Sequence, residues 1–162
     1  MSPKDLPDDM SGNYTTPIHR QLAALCHRKG EKGREVLLVT SSEGRWILPK
    51  GWPMRKRSPA ETAAQEAWEE AGVKTAQVDP TPIGRYDYGK ELAGGQIAQV
   101  ETLVYPARVT LMVSDFPESD QRQHIWVSPQ QAAQIVQEPG LKRLLAEFCP
   151  AASRPGQCRP LP

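Results

Sequence analysis

The sequence predicts an α/β (α+β) domain in which a mixed sheet lies between helices. Three observations carry that expectation. The segment "SPAETAAQEAWEEAG" (58–72) has both ends of a helix written into it. Apolar runs rich in β-branched residues lie on either side of it. After "QHIWVS" (123–128) the pattern turns helical as far as residue 149.

Taken in order, "IHRQLAALCHR" (18–28) is apolar through its middle and bounded by Pro17 and the turn "KGEKG". It reads as a strand, with its alanines leaving a helix open. "REVLLVTSS" (34–42) has a β-branched core and a Ser-rich end, so it is a strand. "RWILP" (45–49) is a short third strand closed by Pro49 and Gly51. In the central helix Ser58 is the N-cap, Pro59 takes the first helical position and Glu61 completes a capping box. Gly72 suits the residue after the helix, and Ala60, Ala63, Ala64, Ala67, Trp68 and Ala71 give a mostly small apolar surface for close packing on a sheet. "TPIGRYDYG" (81–89) and "QIAQVETLVYPARV" (96–109) pair around "KELAGG". Ser128 caps "PQQAAQIV", and Pro139 with Gly140 separates that helix from "LKRLLAEFC" (141–149).

Composition narrows the function. A net charge of +1 in 162 residues gives no global field for nucleic acid or an acidic membrane surface. The apolar share of 38% is low for a globule, and 16 prolines, several in the two ends, help to explain it. Segments 1–16 and 150–162 therefore read as flexible flanks around a domain at 17–149. Cys26, Cys149 and Cys158 are odd in number and lack CxxC spacing, as expected of reduced thiols. The N-terminus has no signal-peptide pattern and no run of eighteen apolar residues occurs, so a cytoplasmic protein without a membrane span is expected.

The chemistry concentrates in "QEAWEEAG" (65–72). Glu66, Glu69 and Glu70 stand at i, i+3 and i+4, where like charges on a helix repel. A divalent cation with a preference for oxygen ligands would offset that repulsion; a solvated helix face is the alternative. Just upstream, Arg45, Lys50, Arg55, Lys56 and Arg57 form a basic stretch, which reads either as a phosphate-binding loop or as surface charge. Tyr86 and Tyr88 alternate, so both face one side of a strand, to pack there or to stack on a base. Trp52 either shields the loop or meets the substrate. His19, His27 and His124 lack metal-ligand spacing.

From Gly51 through "QEAWEEAGV" the chain resembles the Nudix hydrolases, whose signature is G-x5-E-x7-R-E-U-x-E-E-x-G-U. Gly51, Glu66, Glu69, Glu70, Gly72 and Val73 fall on their positions, and Ala67 takes the first apolar one. Arg57 stands in place of the first signature Glu and Gln65 in place of the Arg, so the resemblance is to a variant site. Glu61 offers a substitute acid, although its capping role already explains it. The order of elements over 17–148 and "RQLAALCHR…EVLLVTSS…RWILPKG" are similar to the diphosphoinositol polyphosphate and diadenosine polyphosphate branch, with a bacterial "LPKGWPM" group closer still.

That resemblance implies a Nudix-type α/β/α sandwich with the catalytic loop–helix motif. It also implies Mg²⁺- or Mn²⁺-dependent hydrolysis of a diphosphate linkage in a small polyphosphorylated substrate. Glu66 and Glu70 would be direct metal ligands, Glu69 a ligand or water-mediated partner, and the backbone carbonyl of Lys50 a further one. A carboxylate, Glu66 or one in a distal loop, would take the proton from water. Glu118 and Asp120 are candidate distal acids, with Glu101 as an outsider. Lys50, Arg20, Arg45, Arg55, Lys56 and Arg57 are the candidate phosphate-binding cations. ADP-ribose or (d)NTP hydrolysis and a non-catalytic Nudix scaffold are the alternatives; a monomer that binds neither nucleic acid nor membrane is expected.

Overall fold

The computed structural model describes residues 18–148. The flanks expected at 1–16 and 150–162, with Cys149 and Cys158, lie outside the described residues. Eleven elements follow in order. The first four strands are β1 (Ile18–Gly30), β2 (Gly33–Thr40), β3 (Trp46–Ile47) and β4 (Lys50–Gly51). Helix α1 (Pro59–Ala71) leads into β5 (Val73–Val78), β6 (Gly84–Glu91), β7 (Ile97–Met112) and β8 (His124–Val127). Helices α2 (Pro129–Ile135) and α3 (Pro139–Ala146) end the described chain.

One mixed sheet organises these elements. Its main path runs β3-β2-β1-β7-β5, with β4 on β1, β6 on β7 and β8 on β2. β1 and β7 run parallel from Ile18↔Gln99 to His27↔Arg108, and the other described pairings are antiparallel. β1 is central and covered on both faces, which is why its sequence is apolar without clean alternation. Ala23 and Leu25 face a core with Val36, Leu38, Tyr86, Leu141 and Leu145. Leu22, Ala24 and Cys26 face the other, with Ala63, Ala67 and Ala71 of α1. The helices therefore cover opposite faces, giving the α/β/α sandwich. The alanines of α1 bring its backbone close to the sheet, and that closeness places the helix's polar side chains at the sheet's end.

Helix α1 begins and ends as its sequence directs. Ser58 Oγ accepts from the Glu61 amide at 3.1 Å, and Glu61 Oε1 accepts from the Ser58 amide at 2.7 Å. Such a cap contributes about 1 kcal/mol. Gly72 ends the helix at φ 77°, donating to Ala67 and Trp68 carbonyls. A Cβ there would lie 2.3 Å from the Val113 carbonyl oxygen. Two further backbone bonds, Val113 N–H to Gly72 O and Glu118 N–H to Glu69 O, both 2.9 Å, tie the loop after β7 to the end of α1.

Several elements differ from the sequence expectation. "VKTAQV" forms β5, unforeseen because its alternation is weak and mostly polar; only Val73 is buried. The strand expected at 45–49 is two short pairings, β3 on β2 and β4 on β1, interrupted at Leu48–Pro49. β6 starts at Gly84 rather than Thr81. Pro139 and Gly140 do not merely separate two helices; they form the first turn of α3, since proline is suited to N1. Gly140 packs against β6, where a Cβ would meet Tyr86 Cβ at 2.8 Å.

Two stability tests follow. Gly72→Ala forces a left-handed conformation and a backbone clash, and should lower unfolding free energy by about 2 kcal/mol or more in denaturant titration. His27 is buried against Phe148, with ring centroids 5.3 Å apart, and its Nδ1 has no hydrogen-bond partner. Burial, with Arg34 and Arg108 nearby, pushes its pKa down from 6.5 to about 4. Between those values the unfolded chain holds the extra proton, so stability falls as pH drops from about 6.5 towards 4, by up to about 2 kcal/mol. His27→Gln should flatten that slope in thermal denaturation scans across the same window.

Candidate active site

Backbone approach creates the site. β4 brings Gly51 against α1 so closely that a Cβ on Gly51 would lie 2.2 Å from Glu66 Oε2. Only a glycine leaves room for that carboxylate. Glu66 and Glu70, one helical turn apart, are both buried, and their carboxyl groups hydrogen-bond each other. Two carboxylates in that arrangement share a proton. Burial first, then the hydrogen bond that Glu70 donates to Glu66, pushes the Glu70 carboxyl up to about 9, with Arg122 opposing the shift. Burial also raises Glu66, with the charges of Glu69 and Glu118 adding to the effect.

These residues fit a small divalent cation. Glu70 Oε1 is buried without a hydrogen-bond partner, and the proton between the acids stands where a cation's charge would serve better. Among the described residues no three His, Cys, Asp or Glu side chains form a ready cage. Mg²⁺ does not need one, since it takes one or two carboxylates and completes its shell with water and phosphate oxygens.

The pair opens into a cleft of about 1020 Å³ whose walls include Gly51, Glu66, Glu70, Arg45, Lys50, Lys90 and Arg122. Lys50 Nζ donates to Tyr88 Oη at 2.8 Å and to Gln21 Oε1 at 3.3 Å, and the Tyr88 hydroxyl donates to Gln21 Oε1 at 2.5 Å. Burial, with Lys90 beside it, lowers the Lys50 ammonium to about 8. Arg122 reaches Glu118 Oε1 at 2.7 Å, the Thr40 carbonyl at 2.7 Å and Glu70 Oε2 at 3.7 Å. Arg45 lies on the same cleft and pairs with Glu138 at 3.1 Å and Glu43 at 3.8 Å.

The structure gathers only part of the expected set. Glu69 does not line the cleft; its Oε2 accepts from Gln65 Nε2 at 2.7 Å, while its charge still acts on Glu66. Successive residues on a helix point about 100° apart, so Glu69 and Glu70 fall on opposite sides of Glu66. Gln65, in the signature's Arg position, thus has a partner on its own helix. Arg20 is committed to Glu101 at 2.8 Å and does not line the cleft. Glu101, bridged also by Arg85 at 2.9 Å, is likewise no distal acid of this cleft.

The basic loop is displaced too. Arg55, Lys56 and Arg57 are exposed and do not line the cleft. Arg57 instead borders a separate groove of about 470 Å³ with Gln65, Trp68 and Lys74, on the other side of α1. Of the loop acids, Glu118 reaches the site through Arg122, whereas Asp120 is exposed and outside the cleft lining. Tyr86 packs in the core as one of its two expected roles, and Tyr88 packs against that core while also lining the cleft.

Sequence reasoning missed Gln21, Lys90 and Arg122. Gln21 is a polar residue at the start of a buried run, a signal available in the sequence. Lys90, near the end of β6, and Arg122, in the loop before β8, have no local pattern to mark them.

The Nudix domain model matches residues 19–148. The chain belongs to the Nudix family. It is 33% identical over 126 residues to human diphosphoinositol polyphosphate phosphohydrolase 3-alpha, covering 73% of this chain and 69% of that protein. The rat diphosphoinositol polyphosphate phosphohydrolase 2 is 32% identical over 122 residues, covering 73% and 63% respectively. Nudix hydrolase 16, mitochondrial, of Arabidopsis thaliana is 29% identical, covering 71% and 66%. The chain thus spans about two thirds of the length of these curated relatives. Among solved structures, the C. elegans Ap4A hydrolase binary complex superposes with a TM-score of 0.59 at 19% identity, covering 79% of this chain and 93% of that one. The MutT protein of Methanosarcina mazei gives 0.60 at 25% identity, covering 82% and 94%. Nudix hydrolases generally use divalent cations, in keeping with the Glu66–Glu70 pair. Among the described residues no helix of this Nudix chain is long and apolar enough to cross a membrane.

The acid pair makes a pH prediction with a definite sign. The Glu70 carboxyl rises from 4.5 to about 9 on folding, so in that window the native state holds more protons than the unfolded one. Stability of the metal-free protein should therefore fall as pH rises from about 5 to 9. Mg²⁺ or Mn²⁺ should raise the melting temperature more at pH 8 than at pH 6, and Glu70→Gln should remove most of that difference.

Proposed function

We propose that the chain is a pyrophosphohydrolase that cleaves a diphosphate linkage in a small polyphosphorylated substrate, with Mg²⁺ or Mn²⁺ held by Glu66 and Glu70. The observation that carries this reading is the buried, proton-sharing carboxylate pair against Gly51, opening directly into the cationic wall of the cleft. When bound, the cation neutralises phosphate oxygens and lowers the pKa of a water. Lys50 presents its ammonium to the phosphate chain from a position fixed by Tyr88 and Gln21, and its backbone carbonyl is a further candidate ligand. Arg122 offers a bidentate fork beside the acids. Glu118, held by Arg122, is the distal carboxylate best placed to take a proton.

Support for the substrate is coarser. Relatives are named for diphosphoinositol polyphosphates and a solved neighbour for Ap4A, so both classes belong on the first panel, with ADP-ribose and dNTPs as controls. A monomer in the cytoplasm is the accompanying reading.

Hydrolysis across that panel with Mg²⁺, followed by phosphate and nucleotide release, is the test. Turnover of one class should fall about 10²- to 10⁴-fold in Glu70→Gln. Gly51→Ala should reduce kcat at least tenfold while leaving the protein folded, since its methyl group would displace Glu66. No turnover of any compound, with wild type and Glu70→Gln binding ligands equally, would leave a non-catalytic Nudix scaffold instead.

A further inference from the structure

On the side of α1 away from the acid pair, the groove of about 470 Å³ runs between the helix and β5. Ala64 and Trp68 of the helix, with Ala76 and Val78 of the strand, give it an apolar floor that is only half-buried. β5 is bonded to β7 along one edge. Among the described residues no strand pairs with its other edge. Such an edge presents a row of backbone donors and acceptors that a further strand can use. The irregular pairing of β5 lies before Ala76, and from Ala76 to Val78 the register is regular. A bulge and a lysine guard an edge against indiscriminate pairing; here both stand at the Val73–Thr75 end and leave the regular stretch open.

Cations stand at the two ends of this floor. α1 and β5 run back from Gly72 along the two sides of the groove, so Trp68 and Lys74 mark one end and Arg57 with Glu61 the other. Lys74 Nζ lies over the Trp68 ring, 5.2 Å from its centroid. Arg57 is brought to the rim by Lys56, whose φ of 65° is the left-handed conformation that a residue with a Cβ adopts at a cost. Strain of that kind collects where a residue is held for binding. Neither Lys74 nor Arg57 has a salt bridge or a side-chain hydrogen bond among the described residues. The groove's one carboxylate, Glu61, feels Arg57 only through space and is taken up by the Ser58 amide at 2.7 Å. Each end of the floor therefore carries a positive charge that no ion pair answers.

We propose that this groove docks an extended acidic segment of a partner protein, which adds a strand to β5 alongside α1. In a strand every second side chain faces the same way, and each residue advances about 3.3 Å. Lys74 and Val78 are four residues apart on β5, which spans roughly 13 Å. A segment with the pattern acid–x–aliphatic–x–acid thus sets its aliphatic side chain over Ala76 and a carboxylate at each end. Main-chain bonds to β5 supply the affinity, and the charged ends of the floor select the sequence. The site is separate from the acid pair and stands whether or not the chain is a hydrolase.

Fluorescence anisotropy of the full chain with the labelled peptide Gly-Glu-Thr-Val-Thr-Glu-Gly tests the proposal. Wild type should bind it about fivefold more tightly than the same peptide with Gln in place of both Glu residues. Pro in place of Val should weaken it about tenfold, because a main-chain donor is lost and the strand is broken. Lys74→Glu combined with Arg57→Glu should remove the preference for the acidic peptide and favour Gly-Lys-Thr-Val-Thr-Lys-Gly instead. Hydrogen exchange supplies a reading on the wild-type chain alone: the peptide should slow exchange at residues 75–78. Absence of binding at millimolar peptide, affinity indifferent to the double charge reversal, or protection confined to the cleft around Lys50 would each overturn the docking site. So would a dimer in which residues 75–78 are already protected without peptide, since a second copy would then fill the edge.

Discussion

Everything in the site depends on one close approach, the backbone of Gly51 against the carboxylate of Glu66. That contact exists because β4 is paired to β1 at Leu22↔Gly51, while α1 is drawn onto the same sheet through Ala63, Ala67 and Ala71. Larger residues on the helix would hold it further out, and a side chain at 51 would push Glu66 aside. Glu70, one turn on, is then buried beside its neighbour with a free oxygen. Burial of two like charges is costly without compensation, and the fold accepts that cost at a single place. Such a local expense is expected where a protein binds something.

Around that point the structure divides its cations by task. Lys50 and Arg122 are held at the acid pair by Tyr88, Gln21, Glu118 and the Thr40 carbonyl. Arg20 and Arg85 clamp Glu101, and Arg45 anchors Glu138 beneath α3. The site is therefore preorganised rather than strongly basic, and a bound cation would complete its charge balance.

Much of this was legible in the chain. The capping residues of α1, the buried runs of β1 and β2, and the Gly51–Glu66–Glu70 spacing each reflect a local rule that the tertiary structure obeys. What could not be read depends on direction. "RKR" at 55–57 is adjacent in sequence to the motif, yet the loop turns through Lys56 at φ 65° and presents Arg57 to the far side of α1. Glu69 has the spacing for the cluster, but its carboxylate is engaged by Gln65 on its own helix. Tyr86 and Tyr88 share a strand face on one core, and only Tyr88 also reaches the cleft. Arg122 comes to the acids from 52 residues beyond Glu70 through loop geometry that no local pattern encodes.

The central claim is that a divalent cation replaces the proton shared by Glu66 and Glu70. It is tested most directly by titrating Mn²⁺ calorimetrically at pH 7 in two buffers of different ionisation enthalpy. The account predicts release of about one proton per bound ion, with both the release and most of the affinity lost in Glu70→Gln. Binding of equal strength in wild type and Glu70→Gln, with no proton released in either, would contradict it.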